Sequence, residues 1–222
     1  MTKTPQILLI AEGNNDLKFF EAFIKKIKDL PDNNFAFTIP KDKNGNDSGG
    51  KHNLLNDKYI SSALKLSDYS KITKILLICD ADFKETKGNE YDGFTKTQTK
   101  LENIIKKLEK EFSNKTFGYF IMPDNKNDGY LENLFLDSAN DKITKIISCA
   151  DQYIKCSKEK IDSHKENKIK AELIVKIIGH KDTNIYTVGD AAKSKNKETY
   201  WNFESKALNP LRDFLIDFNK SK

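Results

Sequence analysis

Arginine is almost missing from this 222-residue sequence: of its 38 basic residues, all but Arg212 are lysine. A formal net charge of +5 permits a polyanionic partner without demanding one. So many lysines read first as a solvated surface, not as a dedicated basic groove. Cysteine is scarce too. Cys79, Cys149 and Cys156 cannot all pair, and none stands in a Cys-x-x-Cys arrangement. A disulfide framework is therefore excluded, and reduced thiols in a cytoplasmic protein are expected. His52, His164 and His180 are scattered without zinc-ligand spacing. No apolar run is long enough to span a bilayer, so no membrane is expected. Ile7 to Ile10 is too short for the apolar core of a signal peptide. Internal repeats and low-complexity tracts are missing as well.

What remains is a heavily charged globular chain, 37% hydrophobic and 32% charged. Its length suits one domain, or one with a modest appendage. The most informative stretch is Lys74 to Phe83, KILLICDADF. Five apolar residues, Ile75 to Cys79, stop abruptly at Asp80-Ala81-Asp82. Such a run suits a strand buried on both faces of a parallel sheet. Its two carboxylates lie just past the strand's end, where open α/β sheets bind ligands. Like charges that close repel unless something positive lies between them, and a divalent cation would serve.

The opening of the chain repeats the pattern. Gln6 to Ala11 is apolar and ends in Glu12-Gly13. Asn14, Asn15 and Asp16 supply helix N-cap chemistry. Leu17, Phe20, Phe23, Ile24 and Ile27 then follow at helical spacing up to Pro31. Phe35 to Ile39 reads as a strand, Lys41 to Lys51 as a glycine-containing polar loop, and Asn56 to Leu66 as a helix. Lys84 to Gly93 reads as a loop, Phe94 to Phe112 as a helix, and Phe117 to Met122 as a strand stopped by Pro123. A further helix begins near Tyr130. The alternation predicts a mostly parallel sheet of about four strands flanked by helices, with right-handed crossovers. Beyond residue 136 only helices are expected, at 143–154, 168–178 and 208–218, with a charged linker or exposed helix over 155–170. The expected division is an α/β domain over 1–136 and a helical region over 137–222 that packs on it or extends it.

If the strands ending at Glu12 and Asp80 are neighbours, three carboxylates converge on one crevice. Oxygen donors without thiols or imidazoles suit a hard cation, Mg2+ or Mn2+. Such an ion keeps waters, takes phosphate oxygens and orients an in-line displacement at phosphorus.

LLIAEGNND, with Glu12 and Gly13, followed by LLICDADF, with Asp80 and Asp82, resembles the Toprim domain of topoisomerases, primases and OLD-family nucleases. The resemblance covers roughly residues 5–135 and takes Gly49 or Gly50 as the family's intermediate glycine. More narrowly, the chain resembles small stand-alone Toprim-like proteins of the DUF3226 and OLD-nuclease-like kind. Glu132 in GYLENLF would match their downstream acidic residue, and NKIKAELIV and NPLRDFLIDF their later helices. The resemblance implies a Rossmann-like fold and phosphoryl transfer on DNA or RNA, with Asp80 and Asp82 as metal ligands. Glu12 would be a ligand or a general acid/base, and Glu132 a further ligand. Gly13, Gly50, Lys51, Lys168 and Lys170 are the candidate phosphate contacts. Each of the last four has a plainer reading as loop or solvated surface.

No nucleophilic tyrosine and no partner domain for strand passage is singled out, so hydrolysis by metal-activated water is expected. A separate ATPase chain, as in some OLD systems, is a possible partner. Two alternatives stand beside this reading. One is a non-catalytic Toprim-like subunit that binds nucleic acid or nucleotide. The other is a haloacid-dehalogenase-type phosphatase, which also places Asp-x-Asp after a strand. In that family the motif normally lies near the N-terminus and continues with a small residue and Thr or Val, whereas Phe83-Lys84 follows here. Trp201 and Phe203 are expected to pack the C-terminal helices, and Tyr130 to lie in the core or at its rim.

Overall fold

Branched and aromatic side chains buried on both faces build a central sheet of four parallel strands in the order β2-β1-β3-β4. These are β1 (Ile7–Ala11), β2 (Phe35–Thr38), β3 (Lys74–Asp80) and β4 (Thr116–Met122). The computed structural model describes residues 5–84, 90–157, 161 and 163–221, with the side chains of 163 and 164 outside that description. Part of the expected loop at 84–93 (85–89) and part of the charged stretch at 155–170 (158–160 and 162) therefore lie outside the described residues, as does the start of the expected first domain at 1–4.

The register aligns Ile10 of β1 with Leu77 of β3, and Asp80 of β3 with Met122 of β4. From β1 the chain crosses outward to β2, and from β3 it crosses in the opposite direction to β4. The gap between β1 and β3 is therefore the topological switch point of the sheet. Helices on opposite faces leave a crevice there, beyond the carboxyl ends of those strands.

The two faces are packed differently. Leu8, Ile10, Ile75, Leu77 and Cys79 point to one face, under α3 (Asp57–Leu64) and α4 (Phe94–Glu111). Ile7, Leu9, Ala11, Leu76, Ile78 and Phe120 point to the other, against α1 (Asn14–Ile24) and the C-terminal helices. The latter are α5 (Leu131–Asp137), α6 (Thr144–Cys156), α7 (Ser163–Gly179), α8 (Val188–Lys193), α9 (Lys197–Tyr200) and α10 (Asn209–Lys220). The described residues beyond 136 thus contribute to one core with the sheet. Trp201 is its hub: fully buried, it donates Nε1–H to Val188 O at 3.2 Å and lies 4.7 Å from Phe19, 5.1 Å from Phe135 and 5.9 Å from Phe203 between ring centres. It is a packing residue, as expected of a tryptophan among aromatics.

Several boundaries differ from the sequence reading. The polar loop after β2 ends in a short helix, α2 (Lys51–Leu54), which follows a glycine that turns the chain. α7 begins at Ser163, ahead of the expected Lys168, because its polar first turns carry no apolar stripe. α8 and α9 are too short to show periodicity. Among the described residues no helix is long and apolar enough to cross a membrane.

Candidate active site

At the end of β1, Glu12 stays in register with the sheet, donating its backbone N–H to Ile78 O at 3.1 Å. Its own carbonyl accepts the Gly50 N–H at 2.7 Å. This close approach requires two glycines. A Cβ on Gly49 would lie 3.0 Å from Glu12 O, and Gly50 has φ +104, which side chains rarely adopt. The glycine pair thereby fixes Lys51 over the switch point. Its ammonium donates to Asp82 Oδ2 at 2.6 Å and to Ala81 O at 2.8 Å.

At the end of β3, Asp80 Oδ1 accepts the N–H of Leu131 at 2.9 Å, at the start of α5. A carboxylate there meets the positive end of the helix dipole. Asp82 has φ +59, an uncommon backbone for a non-glycine residue. Two backbone hydrogen bonds hold it so, Asp82 N to Gly129 O at 2.9 Å and Gly129 N to Asp82 O at 3.2 Å. The same α5 carries Glu132 in its first turn.

α1 adds a carboxylate that the sequence reading used only for capping. Asp16 is 7% exposed and accepts the Gly13 N–H at 2.9 Å through Oδ2. Gly13 itself is the N-cap residue, while Asn15 accepts the Gly189 N–H at 2.7 Å and so ties α8 to α1. Asp16 precedes Phe19, Phe20 and Phe23 by three, four and seven positions, and all of them are buried. An acid on the apolar stripe of a helix is the signal that could have singled it out.

Glu12, Asp16, Asp80, Asp82 and Glu132 act on one another electrostatically. Burial, then Asp16 and Asp82, pushes Glu12 up to about 7, against the opposing pull of Lys51. Burial likewise raises Asp16 to about 7, helped by Glu132 and opposed mainly by the Gly13 N–H. Asp80 is held well above the usual carboxylate range by burial, then by Asp16, Glu12, Glu132 and Asp82. Burial also raises Glu132, with Lys168 pulling the other way. The cluster is short of positive charge, and at neutral pH it retains protons.

A cleft of about 580 Å³ is lined by Glu12, Lys51, His52, Asp82 and residues 90–92. A smaller one of about 250 Å³ is lined by Glu132 and Asn15 together with residues of α7 and of the segment that leads into α8.

Among the described residues, no three His, Cys, Asp or Glu side chains already surround one point as a metal cage. The donor chemistry nevertheless fits a hard cation, since all the donors are carboxylates. One buried donor atom, Glu12 Oε2, accepts no hydrogen bond. The Lys51 ammonium is the cation that Asp82 holds.

The structure thus brings Glu12, Asp80, Asp82 and Glu132 together and adds Asp16. Other candidates are placed elsewhere. The N–H groups of Gly13 and Gly50 are bonded to Asp16 and to Glu12, so they do not form a free phosphate nest. Lys170 pairs with Asp151 of α6 at 2.6 Å and links α6 to α7. Lys168 lies 5.2 Å from the centre of the Tyr130 ring, beside Glu132.

The family described as "Protein of unknown function (DUF3226)" matches residues 6–219 of the chain. Among solved structures, the chain is similar to the C-terminal region of the Burkholderia pseudomallei OLD protein, at 12% identity and a TM-score of 0.46, over 96% of this chain and 98% of that one. No curated protein matches it.

Proposed function

The chain belongs to the DUF3226 family, and we propose that it is a metal-dependent phosphoryl-transfer enzyme that hydrolyses phosphodiester bonds of nucleic acid. One observation carries this reading. Glu12, Asp80, Asp82 and Glu132, with buried Asp16, converge where the strand order of a parallel sheet reverses. The resemblance of the EGNND and DADF stretches to Toprim motifs supports the same chemistry.

Glu12, Asp80, Asp82 and Glu132 would hold Mg2+ or Mn2+, with Asp16 completing or steadying the set. When bound, the ion would supply Lewis acidity toward a phosphoryl oxygen and its bound water. The chain's own residues account for the rest. Asp80 and Asp82 are oriented by the backbone of α5 and by the bridge to Gly129. Glu12 would instead be the general acid/base if it stands off the ion, taking a proton from an attacking water or returning one to the leaving oxygen. Lys51 can exchange its bond to Asp82 for a contact with a non-bridging phosphate oxygen, where an ammonium acts as a point charge. Partial burial of the strand ends lowers the local dielectric and strengthens each of these interactions.

The test is cleavage of supercoiled plasmid, single-stranded DNA and structured RNA with Mg2+ or Mn2+. Wild-type protein is expected to cut at least one of these. Asp80→Asn is expected to lower the rate on the order of 10²- to 10³-fold, the size of losing several kcal/mol of charge stabilisation. Equal behaviour of wild type and variant on every substrate would overturn the reading.

A further inference from the structure

The smaller cleft has a composition unlike that of the acidic cluster it adjoins. Val175 of α7 and Val188 of α8 form a buried apolar floor, at 2% and 3% exposure. Tyr186 stands beside them with 79% of its surface in solvent, the most exposed large apolar side chain among the described residues. Its backbone is not loose. Tyr186 N–H donates to Asp190 Oδ2 at 3.1 Å, and Asp190 also accepts the Thr187 hydroxyl at 2.9 Å and the Lys18 ammonium at 2.5 Å. An aromatic face is thus held out over an apolar floor by a fixed backbone. Folding gains little from leaving it there, since an exposed tyrosine contributes almost none of its burial energy.

We propose that this cleft is a nucleobase pocket, in which Tyr186 stacks on one unpaired base of a single-stranded nucleic acid whose phosphate lies at the carboxylate cluster. The inference rests on the phosphodiesterase reading and names its substrate class. Size, charge and continuity all favour it. A volume of about 250 Å³ is below the roughly 300–1,000 Å³ of pockets that take drug-sized molecules, so it suits one flat ring and not a duplex. Lys168, Glu172 and Lys176 follow at spacings of four on α7, hence on one face of that helix. The two lysines offer points along which a backbone of phosphates can run, while the Glu172 carboxylate between them can accept from a base amino group. Glu132 lines this cleft and also interacts electrostatically with Asp16, Asp80 and Asp82, so this one carboxylate joins the pocket to the cluster. Stacking is tolerant of sequence, because every base has a π-face.

Fluorescence anisotropy of labelled oligonucleotides, in Ca2+ with the probe shown intact on a denaturing gel, tests the pocket. The probes are a mixed-sequence single strand, the same strand with abasic sites, and the matching duplex. Tyr186→Ala is expected to weaken single-strand binding about tenfold, and Tyr186→Phe to leave it within about twofold, as loss of one stacked base predicts. Duplex and abasic binding should not change in either variant. Tyr186→Trp should give an added fluorescence signal that single strands quench. Tyr186 is exposed, so the melting temperature is expected to stay that of wild type in all three variants. Single-strand affinity unchanged in Tyr186→Ala would overturn the pocket, as would an equal loss on the duplex. The two readings fail separately. Protein that binds single strands through Tyr186 but shows no Asp80-dependent cleavage keeps the pocket and loses the phosphodiesterase. Asp80-dependent cleavage with indifference to Tyr186 does the reverse.

Discussion

Helix α1 begins in the carboxylate cluster and ends in the aromatic core, and the two regions obey different rules. At its first turn, Asp16 is buried beside other acids that raise one another's pKa values. One turn on, Phe19, Phe20 and Phe23 are fully buried among rings, with Phe19 and Phe23 stacked at 5.5 Å and Phe19 against Trp201 at 4.7 Å. The aromatic region gains free energy from every contact it makes. The carboxylate region loses free energy by being assembled, and it persists because backbone N–H groups of Gly13 and Leu131 and the ammonium of Lys51 hold it. Polar groups gathered at a cost to stability mark a functional site. The comparison also explains why the C-terminal helices matter to the site. They clamp the far end of α1 and so fix where Asp16 stands.

The comparison can be broken by substituting each region in turn. The largest effect is expected in the aromatic core. Trp201→Ala should lower stability by about 3–5 kcal/mol in denaturant unfolding, the range for removing a buried tryptophan. If the site is assembled as described, its divalent-cation affinity should weaken as α1 loosens.

Lys51→Met should have a smaller effect, about 1–2 kcal/mol at pH 8 without divalent ions, because it leaves Asp82 facing other acids in a partly buried pair. That loss should shrink when Mg2+ is added, since the ion replaces the missing charge. A loss that Mg2+ leaves unchanged would show that Lys51 acts by packing alone.

Asp80→Asn should reverse the sign. Asparagine keeps an acceptor for the Leu131 N–H but cannot ionise. Because the folded-state pKa of Asp80 is raised, the folded protein holds that proton more tightly than the unfolded chain does. In wild type, Asp80 therefore contributes a loss of stability as pH rises from the ordinary aspartate range through the raised folded value, and the variant lacks that contribution while keeping those of Glu12 and Asp16. The variant should be on the order of 1 kcal/mol more stable at pH 8 and equal to wild type near pH 3. Stability lower in the variant at both pH values would place Asp80 with the structural residues.

Both regions are visible in the sequence to different depths. The apolar runs that stop at Glu12 and Asp80 are legible because a strand buried on both faces needs uninterrupted branched residues, and an acid can only follow its end. The parallel α/β order follows from their alternation with helices. Glu132 is legible through its position after β4. Asp16 is harder to read, because beside Asn14 and Asn15 it passes for helix N-cap chemistry, although Phe20 and Phe23 follow it at four and seven positions and put it on the buried stripe. Lys168 and Lys170 both read as candidate phosphate contacts, yet two positions apart on a helix they point to different neighbours, and Lys170 faces Asp151. Tyr186 could not have been foreseen, since Glu132 and Tyr186 become neighbours only when the C-terminal helices fold back along α1.

The central claim is that the carboxylates at the ends of β1 and β3 form one cation site. Isothermal titration of wild type and Asp80→Asn with Mn2+ at pH 7, in two buffers of different ionisation enthalpy, tests it most directly. The account predicts saturable binding to wild type with release of protons, because Glu12 and Asp16 hold theirs up to about 7, and binding at least tenfold weaker to the variant. Binding of equal affinity in both proteins, or none in wild type, would contradict it.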